Sequence, residues 1–335
     1  MTKIIQVEQD MSALDEAAEA LKNGALVALP TETVYGLGAN AFCEPAVKNI
    51  FLAKGRPQDN PLIVHVSGRA MLEQVVRRIP PEAELLMEHF WPGPLTMIME
   101  KADCISHTVT AGLDTVAVRM PAHPAALALI AKSGVPLVAP SANLSGSPST
   151  TRASHVIADL SGKIDYIIDG GACQVGLEST VLDLTGDVPQ ILRPGGVSLA
   201  ALREVLPETT YEPALKQSGI APKSPGMKYR HYAPKAELYL VSGDFTEKVL
   251  PRLSLEHEKG RKTGVLCRKP ENLPADFAME SGETPEAYAK LLFDSLRRMD
   301  DWGADVIFAE LPPETEGITA ALENRLRKAA GGHVL

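Results

Sequence analysis

Lys54-Gly55-Arg56-Pro57 sets two cations around a glycine and follows them with a rigid proline exit. Lysine offers a point charge and arginine a planar fork, a combination suited to phosphate oxygens. The same pair also suits a basic helix terminus lying against the carbonyl end of the helix dipole. Pro30-Thr31-Glu32-Thr33 places two hydroxyls and a carboxylate just after the apolar residues 25–29. The end of a buried strand is a common ligand position in open α/β sheets, although such side chains also close ordinary turns. Thr115, Ala117 and Arg119 share one face of an alternating run. An arginine on such a face needs an anion, either a substrate carboxylate or an internal acid. Ser141, Asn143 and Ser145 follow another apolar run, with Thr150 and Thr151 beyond. Gly176-Leu177-Glu178-Ser179-Thr180 brings a hydroxyl pair to a strand start, and Arg193-Pro194-Gly195-Gly196 fixes one more cation. His65 ends the strand-like residues 61–66, where a lone histidine is more often structural than functional.

Gly36-Leu37-Gly38-Ala39-Asn40-Ala41 matches the spacing of a dinucleotide fingerprint. That turn needs its first glycine directly after the strand and a helix directly after its last small residue. Residues 30–35 intervene before Gly36, and Pro45 delays the helix, so nicotinamide and flavin sites are excluded. The Gly162-Lys163 pair continues with Ile164, so no Walker loop is present. Ser141 lacks a G-x-S-x-G elbow. No metal-ligand array stands out, so any metal is expected as Mg²⁺ carried on substrate phosphates.

The elements that must position these residues alternate between strand and helix. Strands are predicted over residues 25–29, 61–66, 95–99, 115–119, 137–139, 166–169, 179–184 and 190–193. Helices are predicted over residues 46–53, 70–78, 81–90 and 123–133, the last stopped by Gly134. This reads as a twisted mixed α/β sheet. Prolines 207, 213, 222, 225 and 234 mark a linker. A small α/β domain follows, with strands over 237–241, 264–267 and 305–309. Its first helix is capped by Thr284 and led by Pro285, and a closing helix covers 319–329.

The chain has 335 residues and a net charge of −9, which speaks against general nucleic-acid binding. Residues 213–235 run the other way, with Lys216, Lys223, Lys228, Arg230, Lys235 and no acid. No apolar run approaches the ~18 residues of a membrane span, and the amino terminus does not read as a signal peptide. The four cysteines are scattered, as expected of thiols in a reducing compartment, so a cytoplasmic location is expected.

Residues 30–41, 54–61, 115–119, 140–146, 178–181 and 193–196, taken in order, resemble the YrdC-like domain of threonylcarbamoyl-AMP synthases. Residues 224–234 resemble the interdomain segment of the long, two-domain form. The resemblance implies a YrdC-like domain at 1–207, a basic linker or lid at 208–235, and a small Rossmann-like accessory domain at 236–335. It implies ATP-dependent synthesis of L-threonylcarbamoyl-AMP from L-threonine and bicarbonate or CO₂, with Mg²⁺ accompanying ATP. The product would pass to a threonylcarbamoyl-transferase complex acting on tRNA. Lys54 and Arg56 are implied as catalytic. Thr33, His65, Arg119, Ser141 and Ser179 would meet threonine. Asn60, Thr115, Asn143, Thr151, Arg193 and Tyr232 would join Lys54 and Arg56 on the nucleotide. Two other classes share the domain: an RNA-binding module, and a carbamoyltransferase of the hydrogenase-maturation type. Direct tRNA binding by this chain is left open, and the second class brings acylphosphatase and zinc-finger-like regions that do not appear here.

Overall fold

Val27, Ala28 and Leu29 are wholly buried, so both faces of the strand they form are covered. The structure, a computed structural model, describes residues 1–7, 11–213, 231–313 and 317–335. The chain divides into two units, Met1–Ser145 with Thr150–Lys228, and Gly146–Ser149 with Tyr229–Leu335.

The described strands of the first unit are β1 (Lys3–Gln6), β2 (Val27–Leu29), β3 (Gly36–Asn40), β4 (Ile63–His65), β5 (Leu95–Glu100), β6 (Thr115–Arg119), β7 (Leu137–Val138), β8 (Tyr166–Asp169), β9 (Thr180–Asp183), β10 (Gln190–Arg193) and β11 (Thr210–Tyr211). They form one sheet in the order β1-β8-β2-β3-β7-β4-β6-β5-β9-β10-β11. Parallel pairs such as β4 with β6 alternate with antiparallel ones such as β5 with β6, giving the mixed sheet that the sequence predicts.

Side-chain alternation splits the core in two. Val27 and Leu29 pack with Leu14, Leu21, Leu129 and Ile130. These come from helices Leu14–Lys22 and Pro124–Ser133. Ala28 and Leu37 face the other way, onto Val47, Ile50, Phe51 and Val64. Each fully buried leucine or isoleucine here contributes about 1.5–3 kcal/mol. Helix Glu44–Lys54 carries a proline in its first turn and ends at Gly55, whose φ of 62° is left-handed. That stop delivers Lys54 and Arg56 at a fixed place beside the sheet.

β3 is an addition to the predicted elements. The stretch that imitates a dinucleotide fingerprint is a buried strand, antiparallel to β2. A Cβ at Gly38 would lie 2.9 Å from Leu29 Cδ2 and 3.1 Å from the Val27 carbonyl oxygen. Glycine here serves the close approach of two strands, not a phosphate.

The second unit holds β12 (Glu237–Val241), β13 (Thr263–Cys267), β14 (Phe277–Glu280) and β15 (Val306–Glu310) in the order β12-β15-β13-β14, all paired in parallel. Helices Phe245–Glu258, Pro285–Trp302 and Thr319–Ala330 accompany this sheet. Thr284 caps the middle helix, its side chain accepting from Ala287 N. Gly146–Ser149 groups with this unit through hydrogen bonds from Ala233 N to the Gly146 carbonyl and from Arg297 to the Pro148 carbonyl. Of the expected linker or lid, residues 214–230 lie outside the described residues, and with them Lys216, Lys223, Lys228 and Arg230.

Candidate active site

β4 and β6 run parallel with Ile63 opposite Ala117 and His65 opposite Arg119. The carboxyl ends of these two strands therefore carry His65 and Arg119. β6 begins at Thr115 and β4 at Ile63, so Thr115 stands at the amino end of its strand and Asn60 precedes the other by three positions. At ~3.3 Å per residue the two ends of β6 are about 13 Å apart.

Arg119 is 4% exposed, and its guanidinium is held on several sides. Nε donates to the Gly93 carbonyl at 3.1 Å and Nη1 to Thr33 Oγ1 at 2.9 Å. Nη2 lies 2.6 Å from Glu32 Oε1, an ion pair without the angle of a hydrogen bond. Of the anions expected for Arg119, the internal acid is therefore present, and it is Glu32. Thr33 Oγ1 also lies 2.9 Å from Thr31 Oγ1. The His65 imidazole is pushed down to about 3, first by burial and then by the Arg119 charge. It is neutral at working pH. With Nδ1 3.3 Å from the Ile63 carbonyl, the tautomer that donates there leaves Nε2 as an acceptor.

Lys54 is buried, and its ammonium donates to the carbonyls of both Ser141 and Asn143. Ser141 Oγ donates to Asn143 Oδ1 at 2.5 Å, and the Lys54 carbonyl accepts from Ser145 N at 2.9 Å. One lysine thus fixes the whole turn after β7. Arg56 Nη2 donates to the carbonyls of Asn60 at 3.3 Å and Pro61 at 3.4 Å. Asn60 Oδ1 is buried without a hydrogen-bond partner, as is Thr150 Oγ1. Buried acceptors and hydroxyls of this kind are normally satisfied by protein or by ordered water.

Ser179, 1% exposed, shares a 2.7 Å hydrogen bond with Thr96, the antiparallel register partner of Arg119. Arg193 Nη2 donates to the Ser179 carbonyl at 2.9 Å and to its Oγ at 3.1 Å. Arg193, expected on the nucleotide, is thereby in contact with a residue expected on threonine. Gly195 passes so close that a Cβ there would fall 2.2 Å from the Ser179 carbonyl carbon. Thr151 is buried, its backbone N donating to His155 Nδ1 at 3.2 Å.

Hydrogen bonds and the ion pair gather Thr33, Glu32 and Arg119 into one cluster, Ser179 and Arg193 into a second, and Lys54, Ser141 and Asn143 into a third. The family model described as "Telomere recombination" matches residues 19–195, and "Threonylcarbamoyl-AMP synthase, C-terminal domain" matches residues 197–331. A threonylcarbamoyl-AMP synthase of Pyrococcus abyssi is 48% identical, over 100% of this chain and 99% of its own length. One from Bacillus subtilis is 46% identical, over 99% and 98%. The crystal structure of P. abyssi Sua5 complexed with L-threonine superposes with a TM-score of 0.95 at 47% identity, covering 100% of this chain and 99% of that one.

This chain belongs to the threonylcarbamoyl-AMP synthase family.

Of the polar residues described above, Thr96 goes unremarked in the sequence, while Glu32 and Thr150 stand there only within their motifs, with no ligand assigned to them. Glu32 stands between two threonines already noted, yet its partner is distant in the chain. Thr96 reads only as part of a strand. Tyr232 lies in the second unit, with a left-handed φ of 66°. Its ring stacks on Phe293 at 5.3 Å and sits 5.5 Å from the Arg325 guanidinium. Among the described residues no helix is long and apolar enough to cross a membrane, and no three His, Cys, Asp or Glu side chains form a metal-binding group.

Proposed function

We propose that this chain joins L-threonine, bicarbonate or CO₂, and ATP into L-threonylcarbamoyl-AMP with release of pyrophosphate. The observation that carries the reading is the strand pair β4–β6, which presents His65 and Arg119 side by side at its carboxyl end, with the same guanidinium donating to Thr33. A P. abyssi family member has been crystallised with L-threonine, and the same amino acid fits the Arg119 end. Its carboxylate meets the guanidinium, and its hydroxyl or amine meets the neutral His65 Nε2 and the hydroxyls of Thr33, Ser141 and Ser179. The nucleotide extends past Lys54 and Arg56 toward Asn60 and Thr115, with Asn143, Thr151 and Arg193 beside it.

The threonine ammonium first loses a proton to solvent. The free amine then attacks the CO₂ carbon, a C–N bond forms as one C=O π pair moves onto oxygen, and the nitrogen releases a second proton to solvent to yield the carbamate. A carbamate oxygen then attacks the α-phosphorus of ATP while the bond to the β-phosphate oxygen breaks. Pyrophosphate leaves with the electron pair. Neither step needs a strong acid–base pair. Both need the reactants held together and the phosphate charge offset, which placed cations do. Lys54, Arg56 and Arg193 supply that charge. Mg²⁺ is expected as MgATP, because the residues proposed along the nucleotide are cations, amides and hydroxyls and so favour a metal held mainly by phosphate.

The product is a mixed anhydride that water destroys. Its consumer is a transferase acting on tRNA adenosine in the cytoplasm, giving N6-threonylcarbamoyladenosine. Radiolabelled bicarbonate tests the reading. Label should enter a nucleotide product only when threonine and ATP are both present. Incorporation without threonine would overturn the assignment.

A further inference from the structure

Glu32 is a largely but not wholly buried carboxylate in the proposed amino-acid end of the site, for which the reaction has so far supplied no use. Its Oε2 accepts from Ala122 N at 3.1 Å, and its backbone carbonyl from Val175 N at 2.8 Å. Both bonds fix it in place. Its Oε1 faces Arg119 Nη2 at 2.6 Å, with side-chain exposures of 12% and 5%. Those same two atoms are buried and make no hydrogen bond. An acceptor and a donor, opposite in charge and side by side, are each left with unspent capacity. Burying an ion pair in that state costs free energy unless further hydrogen bonds complete it.

A zwitterion has the complementary pattern, with an acceptor carboxylate for Arg119 and a donor ammonium for Glu32. The residues otherwise placed at this end are Thr33, His65, Ser141 and Ser179, and none carries a negative charge at working pH. His65 is held neutral. We propose that Glu32 is a specificity residue that recognises the α-ammonium of the amino acid. It makes the subsite neutral overall, so that a zwitterion enters and a simple carboxylate anion is rejected. This rests on the assignment of the Thr33–Arg119 end to threonine.

Calorimetry on the full chain, comparing L-threonine with (R)-3-hydroxybutyrate, tests it. The second compound keeps the carboxylate, hydroxyl and methyl group and lacks only the amine. The wild type should bind threonine at least about tenfold more tightly, the size of one charge-assisted contact. Glu32→Gln should lose threonine affinity by a similar factor while keeping or gaining affinity for 3-hydroxybutyrate. Glu32→Asp, which preserves the charge, should retain the preference. Equal weakening of both compounds in Glu32→Gln would reduce Glu32 to a support for Arg119 and overturn the proposal. Equal binding of both by the wild type would overturn it without any variant. Thr33→Val separates the underlying assignment: unchanged threonine affinity there would show that the amino acid binds elsewhere.

Discussion

His65 and Arg119 are register partners at the carboxyl ends of two parallel strands, and the pairing keeps the imidazole uncharged. Burial is the larger cause and the neighbouring guanidinium the second. A histidine depressed from its ordinary 6.5 to about 3 favours the native state fully above pH 6.5. Below that the unfolded chain takes up the proton first, so stability falls as pH drops toward 3. The contribution lost between pH 6.5 and 5 is about 2 kcal/mol. Thermal unfolding of wild type and His65→Gln at pH 7.5 and pH 5 isolates it. The gap between the two proteins should shift in favour of the variant at the lower pH, and a constant gap would show that His65 is not held neutral.

Lys54 ties down the carbonyls of Ser141 and Asn143, and the proposed mechanism gives the same ammonium a second task on phosphate. Lys54→Met should lower kcat/KM for threonine-dependent pyrophosphate release by about 100-fold or more. The same variant should lose roughly 1–3 kcal/mol of stability as those buried carbonyls lose their donor. Arg56, which is only partly buried, should show the activity loss upon Arg56→Ala with little change in melting temperature. Full activity in Lys54→Met would remove the cation from the mechanism.

Gly195 has no room for a side chain, because a Cβ would lie 2.2 Å from both the Ser179 carbonyl carbon and the Thr180 nitrogen. Gly195→Ala should force the turn away from Ser179, costing about 3 kcal/mol and releasing the Arg193–Ser179 contact. Denaturant melts should show the destabilisation. An unperturbed variant would mean that the turn after β10 is not packed as described.

Cys173 is buried beside Glu32, and burial pushes its thiol up to about 12, whereas Cys104 is exposed. Brief alkylation of the native protein at pH 8, read by mass spectrometry, should label Cys104 and spare Cys173 until denaturant is added. Early labelling of Cys173 would mean that the interior beside Glu32 is open to solvent.

Strands such as Thr115–Arg119 and Gln190–Arg193 could be read from the sequence because alternation or apolar runs met clear punctuation. The Gly134 stop and the Thr284 cap were equally legible, as local chemistry with local partners. Gly36–Asn40 was not read as a strand, since its glycines answer to Val27 and Leu29 across the sheet. Helix Leu14–Lys22 went unassigned although Leu14, Ala17, Ala18 and Leu21 follow helical spacing. Pro251 concealed the helix Phe245–Glu258 that contains it. The site's chemistry was visible as residue types at strand ends. What stayed hidden was pairing between distant positions: Glu32 with Arg119, Thr96 with Ser179, and Lys54 with the turn at 141–143. Those contacts are made by the fold, and no local pattern announces them.

The most direct test is a crystal structure of this chain with L-threonine and a non-hydrolysable ATP analogue together. Threonine should lie with its carboxylate on Arg119, and the nucleotide should run past Lys54 toward Asn60 and Thr115. Threonine bound away from Arg119, or either ligand seated on the β12–β15 sheet, would contradict the account.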